Sequence, residues 1–555
     1  QYAPPTATLF FFSAENNPVS KIDLKRFITY WPELLPQGEA LLALYPVLTP
    51  GFHRLEFEQG RVQLTLMLGD VLPSFRELLV CGEPTLEKSL REYTVDAWLL
   101  KGFSNVGASS LWNETLLTTL HLLSGEHTTS APTSAISAIK SAASRIPKAT
   151  PWHVAPFRKS HTKRALVLGA GLAGCYTAYA LAKRGMHVTL IDAGDRVGTG
   201  ASGNCQAVLY PKLSLYSSPL LQFMLTAFQF ATRTYREFLK QWPIGELNGI
   251  LQLAYHEKEQ RSQSCLDEWL RHYPELGILV DEKQASALAG IDLKSGGLYI
   301  PDSGWIDSPA LCEHLISMPG IDFVVNTDVE LINYADGQWY ANAHHADVLV
   351  IANGYRANQF EQTKHLPLKS IRGQMTSIVA NELTQNLRIP LCADGHVVPA
   401  YKGAHGVGAT YQSGRIDVEC DPCDDAQNLE RLWGIYPAPM VVPQVASSWV
   451  GIRTATPDYL PLVGQVAQAD LFRGQFAGVA SNAKRWIPSS GCFYEGLYAC
   501  SGFGSRGLTT IPLSAEYLAT LISHEPAFLP NPMIRSLSPA RFLYRDLSRI
   551  KIYPG

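Results

Sequence analysis

Short apolar runs alternate with polar or glycine-containing turns along most of the chain, a pattern typical of α/β proteins. The run Ala165 to Leu168 predicts a strand that is buried on both faces. An Ala- and Leu-rich stretch after Gly174 predicts a helix, and a second apolar run ends at Asp192. Strand, glycine turn, helix and strand in this order predict a βαβ unit in a parallel sheet.

The region before this unit predicts a smaller α/β domain. Its strand-like runs and its helical periodicity lie at Leu9–Phe12, Val62–Leu68, Ala97–Leu100 and Leu24–Leu44. Residues 130–150 are rich in Ser, Ala, Thr and Pro, which favours a linker or a weakly packed edge. We therefore place a domain boundary near residue 157, with one domain at 1–157 and a second at 158–555. Further strands are predicted in the second domain at Gly249–Leu253 and Val348–Ile351.

The turn of the βαβ unit contains the pattern G-x-G-x-x-G at Gly169, Gly171 and Gly174. The first glycine allows a tight turn, the second lets a pyrophosphate approach the backbone, and the third permits close packing of helix on strand. The helix N-terminus then directs free amides at the phosphates. Asp192 is placed to accept a hydrogen bond from a ribose hydroxyl and disfavours a 2′-phosphate, so FAD or NAD is predicted rather than NADP. An ordinary tight turn is the alternative.

Four later segments have the composition of loops that line a cofactor. They are the polar segment Gly200–Pro211, the strand-like Asp347–Gly354, and the late segments Gly451–Gly464 and Gly502–Leu508. The last one opens a predicted helix whose N-terminal amides would face the electron-rich edge of a reduced flavin. The predicted cofactor-binding residues are Gly169, Gly171, Gly174, Asp192, Ser202, Gly203, Asn204, Gln206, Gly502, Gly504, Ser505, Arg506, Gly507 and Leu508.

The order of these motifs resembles the amino-acid-oxidase-like flavoproteins, the glycine oxidase and sarcosine oxidase group, over about residues 163–525. The resemblance implies an α/β fold in which a Rossmann-type FAD-binding domain is interleaved with an α+β substrate domain. In that group an arginine of the late G-x-R segment pairs with the substrate carboxylate, and Arg453 is the matching position. A guanidinium suits this catalytic role because it stays charged and binds two carboxylate oxygens at once. A structural ion pair is the alternative for Arg453.

A closer resemblance covers nearly the whole chain. The MnmC family of bacterial tRNA-modifying enzymes is similar to this sequence at Phe12–Phe27, Ala201–Ser214, Gly451–Gly464, Gly502–Leu508 and Leu537–Leu547. The resemblance implies that the flavin domain, an oxidoreductase of EC 1.5 type, acts on the wobble uridine in the anticodon loop of tRNA. It would oxidise a carboxymethylaminomethyl group there and release glyoxylate. A preceding, partial Rossmann-like methyltransferase domain would then methylate the amine with S-adenosylmethionine.

The N-terminal domain departs from this family. Glu15 matches the acidic residue that would hold the ribose of the methyl donor, and Gly69-Asp70 matches a segment near its adenine, but no Gly-rich turn precedes Glu15. Lys101 stands where the family has an aspartate, and a cation there would repel the substrate amine. The segment after Trp112 also lacks the family's Pro-Gly-Gly turn. We therefore expect no methyl transfer (EC 2.1.1 type), and S-adenosylmethionine is a doubtful cofactor.

The formal net charge of the 555-residue chain is −3, which argues against a uniformly basic surface. Two segments are nevertheless basic: Arg158–Arg164 and the C-terminal stretch with Arg535, Arg541, Arg545, Arg549 and Lys551. Three of these arginines, Arg541, Arg545 and Arg549, recur every fourth residue and would share one helix face, which Phe542 and Leu543 could anchor. That face either contacts tRNA phosphates or is an ordinary solvated surface.

No apolar run reaches the roughly 18 residues that span a bilayer, and the first residues lack a signal-peptide pattern, so we expect a soluble, cytoplasmic protein. Cys420 and Cys423 form one C-x-x-C in an acidic stretch. Without a second pair it does not predict a metal site. The sequence does not indicate the oligomeric state.

Two other functions are compatible with the same residues. The chain could oxidise free glycine or sarcosine, with the first 157 residues as an unrelated appendage. It could also be a noncatalytic, flavin-bearing scaffold that binds tRNA.

Overall fold

The computed structural model describes residues 4, 7–91, 93–100, 112–142, 146–156, 163–215, 218–382, 384–435 and 443–549. Contacts divide the chain into two compact units. Unit 1 comprises residues 1–161, 465–495 and 520–555, and unit 2 comprises residues 162–464 and 496–519. Unit 1 therefore contains segments that follow the predicted boundary near residue 157, and the boundary itself stays a prediction.

Strands and helices are interspersed along the described residues, as the pattern of apolar runs predicts. The strands are β1 (Leu9–Glu15), β2 (Gly51–Phe57), β3 (Val62–Leu68), β4 (Val95–Leu99), β5 (Ser124–Ala131), β6 (Arg164–Leu168), β7 (His187–Ile191), β8 (Ala207–Leu209), β9 (Gly245–Glu246), β10 (Ile250–Leu253), β11 (Ile278–Val280), β12 (Gly297–Ile300), β13 (Gly304–Ile306), β14 (Ile321–Val324), β15 (Ile332–Ala335), β16 (Gln338–Ala341), β17 (His344–Ala346), β18 (Val348–Ile351), β19 (Lys369–Val379), β20 (Leu391–Cys392), β21 (His396–Val397), β22 (Ala404–Gly408), β23 (Gln412–Ser413), β24 (Val445–Ala455), β25 (Leu462–Ala467) and β26 (Phe493–Ser501). The helices are α1 (Lys21–Ile28), α2 (Leu35–Leu44), α3 (Val71–Arg76), α4 (Pro84–Ser89), α5 (Glu114–Leu123), α6 (Ser134–Ser141), α7 (Leu172–Ala182), α8 (Pro219–Leu239), α9 (Glu257–Ser264), α10 (Asp267–His272), α11 (Glu282–Ala289), α12 (Ser308–Ile316), α13 (Pro422–Ile435), α14 (Ala469–Gln475), α15 (Gly507–Ile522), α16 (Asn531–Leu537) and α17 (Arg541–Arg549). No helix of the described chain is both long and apolar enough to cross a membrane.

The predicted βαβ unit is confirmed as β6, α7 and β7. It belongs to a six-stranded sheet with the order β14-β7-β6-β18-β26-β25. Strand β6 pairs in parallel with β7 on one side and with β18 on the other. The apolar residues of β6 and β18 are buried, as expected for parallel strands covered on both faces.

Unit 2 also contains a nine-stranded mixed sheet. Its order is β11-β12-β10-β20-β21-β22-β19-β23, and β24 pairs with the other edge of β19. The long antiparallel pair of β19 and β24 matters most for the site, because it sets Ile371 opposite Arg453 and Gly373 opposite Gly451. This sheet and the six-stranded sheet, with the helices between their strands, confirm the α/β class that the sequence predicts.

Unit 1 corrects two predictions from the sequence. The stretch predicted as a linker, residues 130–150, contains α6, whose Ala135 and Ile139 are fully buried in a hydrophobic cluster. The periodicity over 24–44 is divided between α1 and α2, because Pro32 and Pro36 open new helical turns instead of continuing α1. Strands β1 and β3 run in parallel, as expected for a Rossmann-like core.

The guanidinium of Arg372 organises the segment that follows β22. Its side chain is fully buried and forms ion pairs with Asp424, at the start of α13, and with Asp417 at 2.9 Å. It also donates to the carbonyls of Asp417 and Glu419. One buried cation therefore fixes residues 412–424 onto the mixed sheet.

We expect Asp424→Ala to lower the free energy of unfolding by about 3 kcal/mol, because it leaves a buried guanidinium without its buried carboxylate. Asp417→Ala is the matched control: the Asp417 side chain is 42% exposed, so its loss should change stability little. Urea unfolding followed by tryptophan fluorescence measures both. Equal losses in the two variants would contradict this account of the segment.

Candidate flavin and substrate site

The glycine turn after β6 has no room for side chains at two of its three positions. Gly169 has φ +100°, and a Cβ there would lie 2.6 Å from the Cα of Asn353. A Cβ on Gly174 would lie 1.7 Å from the carbonyl oxygen of Gly169. Strand, turn and helix can therefore pack this closely only with glycine.

Asp192 directly follows β7 and lies beside the turn. Its two carboxylate oxygens accept the amides of Ala170 at 2.5 Å and Gly194 at 2.7 Å. The residue is partly exposed, and each carboxylate oxygen has further acceptor capacity, so it can still accept ribose hydroxyls. These two hydrogen bonds fix the Asp192 carboxylate beside the glycine turn.

Gly171 is the N-cap of α7 and supplies no side chain to cap the helix. The amide of Leu172 instead donates to Ser202 Oγ at 2.9 Å, which ties the start of α7 to the polar loop after β7. The remaining amides of the first helical turn have no partner within their own helix. A diphosphate is the ligand that such a helix start accepts, so the residues present fit FAD.

The loop Ala201–Gln206 is built on short polar contacts. Asn204 Oδ1 accepts the amide of Gln206 at 2.9 Å. The Gln206 side chain is buried, donates to the Pro399 carbonyl at 2.7 Å and accepts the Gly406 amide at 2.6 Å. Gln206 thereby attaches the loop to the mixed sheet; a direct contact between it and the cofactor stays a prediction.

Trp449 packs against two glycines of the site. A Cβ on Gly203 would lie 2.7 Å from the indole, and a Cβ on Gly451 would lie 2.3 Å from it. The sequence indicated Gly203 as a cofactor contact. The structure adds that its lack of a side chain makes room for Trp449.

The late segment Gly502–Leu508 leads directly into α15, which begins at Gly507 as predicted. Gly502 and Gly504 have φ of +82° and +57°, which explains the glycines at these turn positions. The Arg506 guanidinium lies 4.4 Å from the centre of the Tyr210 ring and donates to the Tyr210 carbonyl at 3.3 Å. The Leu508 carbonyl accepts from Tyr235 Oη at 2.7 Å. Ser505 completes the turn, and its predicted cofactor contact stays a prediction.

Arg453 reaches across the mixed sheet from β24. Its guanidinium lies over Gly373, at 2.9 Å from where a Cβ would stand, and Nη1 donates to the Thr410 carbonyl at 3.4 Å. No carboxylate of the described residues lies within ion-pair distance of it. Burial lowers the pKa of Arg453, and the neighbouring phenols of Tyr411 and Tyr210 oppose this effect. The ion-pair alternative for Arg453 therefore finds no partner in the described chain.

His396, on β21, is a site residue that the sequence analysis missed. Its Nε2 is buried without a hydrogen-bond partner. Burial and the nearby Arg453 charge lower the pKa of His396 to about 4, so the ring is neutral at pH 7. No local motif marks this histidine, because β21 is only two residues long and the Arg453 charge that acts on it comes from β24, more than fifty residues further along the chain.

Tyr210 lies close to both arginines of the site. Burial raises the pKa of its phenol, whereas Arg506 and Arg453 lower it by a smaller amount. The hydroxyl is therefore protonated at neutral pH. The site thus combines two guanidinium groups with neutral phenol and imidazole rings.

The basic C-terminal helix differs from its sequence-based description. Arg541 is buried and donates to the carbonyls of Leu537 and Ser538, so it does not belong to a solvated phosphate-binding face. Arg541 and Arg545 each lie 4.3 Å from the centre of the Phe542 ring, whereas Arg549 is exposed. Phe542 and Leu543 are buried, as predicted for anchors.

Some predictions fall on residues that the structure does not describe. Lys101, Lys551 and most of the basic segment Arg158–Arg164 lie outside the described residues. In the described part, Glu15 and Gly69 are adjacent, and the Gly69 amide donates to the Glu15 carbonyl at 3.0 Å. Cys420 and Cys423 are exposed free thiols beside the first turn of α13.

Two family models match the chain. Residues 164–521 match FAD dependent oxidoreductases, and residues 32–147 match S-adenosyl-L-methionine-dependent methyltransferases. Among solved structures, glycine oxidase from Geobacillus kaustophilus superposes with a TM-score of 0.57 at 22% identity, covering 68% of this chain and 99% of that one. Iminodiacetate oxidase from Chelativorans sp. BNC1 gives a TM-score of 0.54 at 20% identity and covers 68% and 99% of the two chains. At these identities the likeness establishes the fold alone.

Relatives at higher identity extend over both regions. The tRNA 5-methylaminomethyl-2-thiouridine biosynthesis bifunctional protein MnmC of Legionella pneumophila (strain Philadelphia 1) is 46% identical, over 99% of this chain and 87% of that protein. The protein of the same name from Chromobacterium violaceum is 36% identical, over 100% and 87%. The chain therefore belongs to the MnmC family of bifunctional tRNA-modification proteins, with a FAD-dependent oxidoreductase region that follows a methyltransferase region.

Proposed function

We propose that this protein removes the carboxymethyl group from 5-carboxymethylaminomethyl(-2-thio)uridine in tRNA by FAD-dependent oxidation, giving 5-aminomethyl(-2-thio)uridine and glyoxylate. The observation that carries the proposal is the Arg453 guanidinium, which meets a peptide carbonyl and no carboxylate of the described chain. A partly buried cation of this kind is stabilised when a carboxylate binds it. The glycine-like end of the proposed substrate supplies that carboxylate.

The side chains around Arg453 fit the same substrate. The flat guanidinium can bind two carboxylate oxygens, and its position over Gly373 restricts its orientation. The unpaired Nε2 of neutral His396 offers a further hydrogen bond without adding charge. Arg506 and Tyr210 close the side of the site that adjoins the start of α15.

The reaction balances without a protein acid or base. FAD held at the turn of Gly169, Gly171 and Gly174 would supply the acceptor for a hydride that leaves the α-carbon of the secondary amine. The nitrogen lone pair forms the new C=N bond and the N–H proton leaves, giving an imine of glyoxylate. Water then adds to the imine carbon, which was the α-carbon, and the bond from this carbon to nitrogen breaks. Glyoxylate is released and a primary amine stays on the uridine. The protein's part is to bind the carboxylate and orient the α-carbon.

A second candidate is oxidation of a free amino acid such as glycine or sarcosine. The fold shared with glycine oxidase and iminodiacetate oxidase favours it, because the names of those proteins specify small amines. The whole-length relatives instead favour tRNA. A noncatalytic, tRNA-binding flavoprotein is the third candidate, and it predicts that the modified tRNA does not reduce the bound flavin.

We also propose that the methyl-transfer step is lost in this chain, although residues 32–147 match a methyltransferase model. Lys101 supports this proposal, because it replaces the aspartate of the family and would repel a protonated amine. Glu15 and Gly69, which the family resemblance assigns to the methyl-donor site, are joined by a backbone hydrogen bond. The proposal concerns methyl transfer and not the binding of S-adenosylmethionine, which could persist without it.

The direct test of function is mass analysis of nucleosides from carboxymethylaminomethyl-modified tRNA after treatment with the holoenzyme. We expect the carboxymethyl group to disappear, the aminomethyl nucleoside to accumulate, and one glyoxylate to form for each group lost. The same products should form with added S-adenosylmethionine. A methylaminomethyl nucleoside would refute the proposed loss of methyl transfer, and unchanged tRNA would refute the oxidase proposal.

We expect Arg453→Met to lower kcat/KM by about a hundredfold or more, because the substrate carboxylate loses a charged bidentate partner. Arg453→Lys should recover part of this loss, since it restores the charge but not the planar fork. Flavin content should stay at the wild-type level in both variants. Arg261→Met, which changes an exposed arginine of α9, is the control. Wild-type kcat/KM in Arg453→Met would rule out the proposed role.

The His396 ring should titrate near pH 4, because burial and the Arg453 charge both oppose its protonation. The unfolded chain binds this proton below about pH 6.5 and the folded chain only near pH 4, so acidification through this range lowers the free energy of unfolding. NMR of histidine ring carbons, with the signal assigned by its loss in His396→Gln, measures the pKa. Arg453→Met should raise this pKa. A pKa of His396 at or above 6.5 would contradict the described environment.

A further inference from the structure

Beside the guanidinium of Arg453 lies a large exposed aromatic side chain, Tyr411, which is 55% exposed. We propose that Tyr411 is a stacking platform for the pyrimidine base that carries the amine, and that it makes the enzyme select a base-linked amine over a free N-alkyl glycine. This inference rests on the proposed function and assigns a recognition residue to the same site.

The position of Tyr411 follows from the path of the Arg453 side chain. Arg453 starts on β24, passes over β19 at Gly373 and donates to the carbonyl of Thr410, on the opposite side of β19. Tyr411 is the next residue after Thr410. Burial lowers the pKa of Arg453, and the Tyr411 phenol raises it more than any other neighbouring group does. The aromatic ring and the guanidinium therefore belong to one site.

The backbone on both sides of Tyr411 is fixed. Thr410 is buried, donates its amide to the Gln374 carbonyl at 3.1 Å and accepts the Gln374 amide on Oγ1 at 3.0 Å. On the other side, Gln412 pairs with Arg372 across β23 and β19. A ring held by such a backbone can stack on a ligand at small cost in conformational entropy.

The dimensions of the substrate agree with this placement. Four bonds separate the carboxylate carbon of a carboxymethylaminomethyl group from the pyrimidine ring, which is about 5 Å in an extended chain. A carboxylate bound to Arg453 would therefore leave the base about 5 Å away. Tyr411 directly follows Thr410, whose carbonyl the same guanidinium contacts.

Two further apolar side chains are exposed in the segment that follows Tyr411: Ile416 and Val418 are 58% and 65% exposed. A free amino acid has no ring that could stack on the Tyr411 phenol. An unstacked base, splayed out of a loop, presents a π-face to aromatic side chains, which is the usual mode of single-strand RNA recognition.

The test compares two substrates that share the reacting amine and carboxylate. One is the nucleoside 5-carboxymethylaminomethyluridine, and the other is N-ethylglycine, which lacks the base. For the flavin-loaded protein, kcat/KM is measured with the wild type, Tyr411→Leu and Tyr411→Phe. Tyr334→Leu, which changes an exposed tyrosine of the three-stranded sheet β15-β16-β17, is the matched control.

We expect Tyr411→Leu to lower kcat/KM for the nucleoside about tenfold or more, because base–aromatic stacking is lost. Tyr411→Phe should stay near the wild type, since it keeps the ring, and Tyr334→Leu should match the wild type. All variants should oxidise N-ethylglycine equally, which also shows that they fold and bind flavin. An equal loss on both substrates, or no loss with Tyr411→Leu, would overturn the stacking role. A wild-type enzyme that oxidises N-ethylglycine but neither the nucleoside nor modified tRNA would refute the proposed function itself.

Discussion

The positive charge of Arg453, which has no anionic partner among the described residues, is the feature on which the proposed function of this site depends. Arg453 lies on β24, a long strand that pairs with β19, and its side chain occupies a partly buried position where the described protein offers it a peptide carbonyl and no carboxylate. Removing a charge from water without a counter-charge is costly, so such a group is more often part of a binding site than of a framework. The same sheet contains a structural arginine, Arg372, which has buried and half-exposed carboxylate partners. Arg372 therefore has a structural role, whereas the lack of a carboxylate partner among the described residues is what supports a ligand-binding role for Arg453.

The glycines of the chain make this arrangement possible. Gly169 and Gly174 let α7 approach β6, and Gly373 leaves the space over which Arg453 crosses β19. Gln206 then connects the polar loop after the fingerprint to the mixed sheet through Pro399 and Gly406. The glycine turn after β6 and strand β24 are therefore connected by one continuous set of contacts within unit 2.

The βαβ unit and the glycines of its turn could be predicted from the sequence, because each depends on local spacing, whereas Arg453 was assigned from the family resemblance and its role stays a proposal. The sequence could not identify His396, because the nearby Arg453 comes from β24, which is distant in the chain and shares only the folded mixed sheet with β21. The burial of α6 was missed because small residues such as Ala135 have the composition of a linker, although they pack well against a larger core. Arg541 was placed on a solvated face by helical periodicity alone, whereas it stacks on Phe542 and binds the preceding carbonyls.

The central claim is that Arg453 binds the carboxylate of the reacting amine. A crystal structure of the flavin-loaded protein with a non-oxidisable N-substituted glycine analogue tests it most directly. We predict that the carboxylate oxygens lie within hydrogen-bonding distance of the Arg453 guanidinium, with His396 Nε2 in contact with the same ligand. A ligand carboxylate bound elsewhere, with Arg453 still donating only to Thr410, would contradict the account.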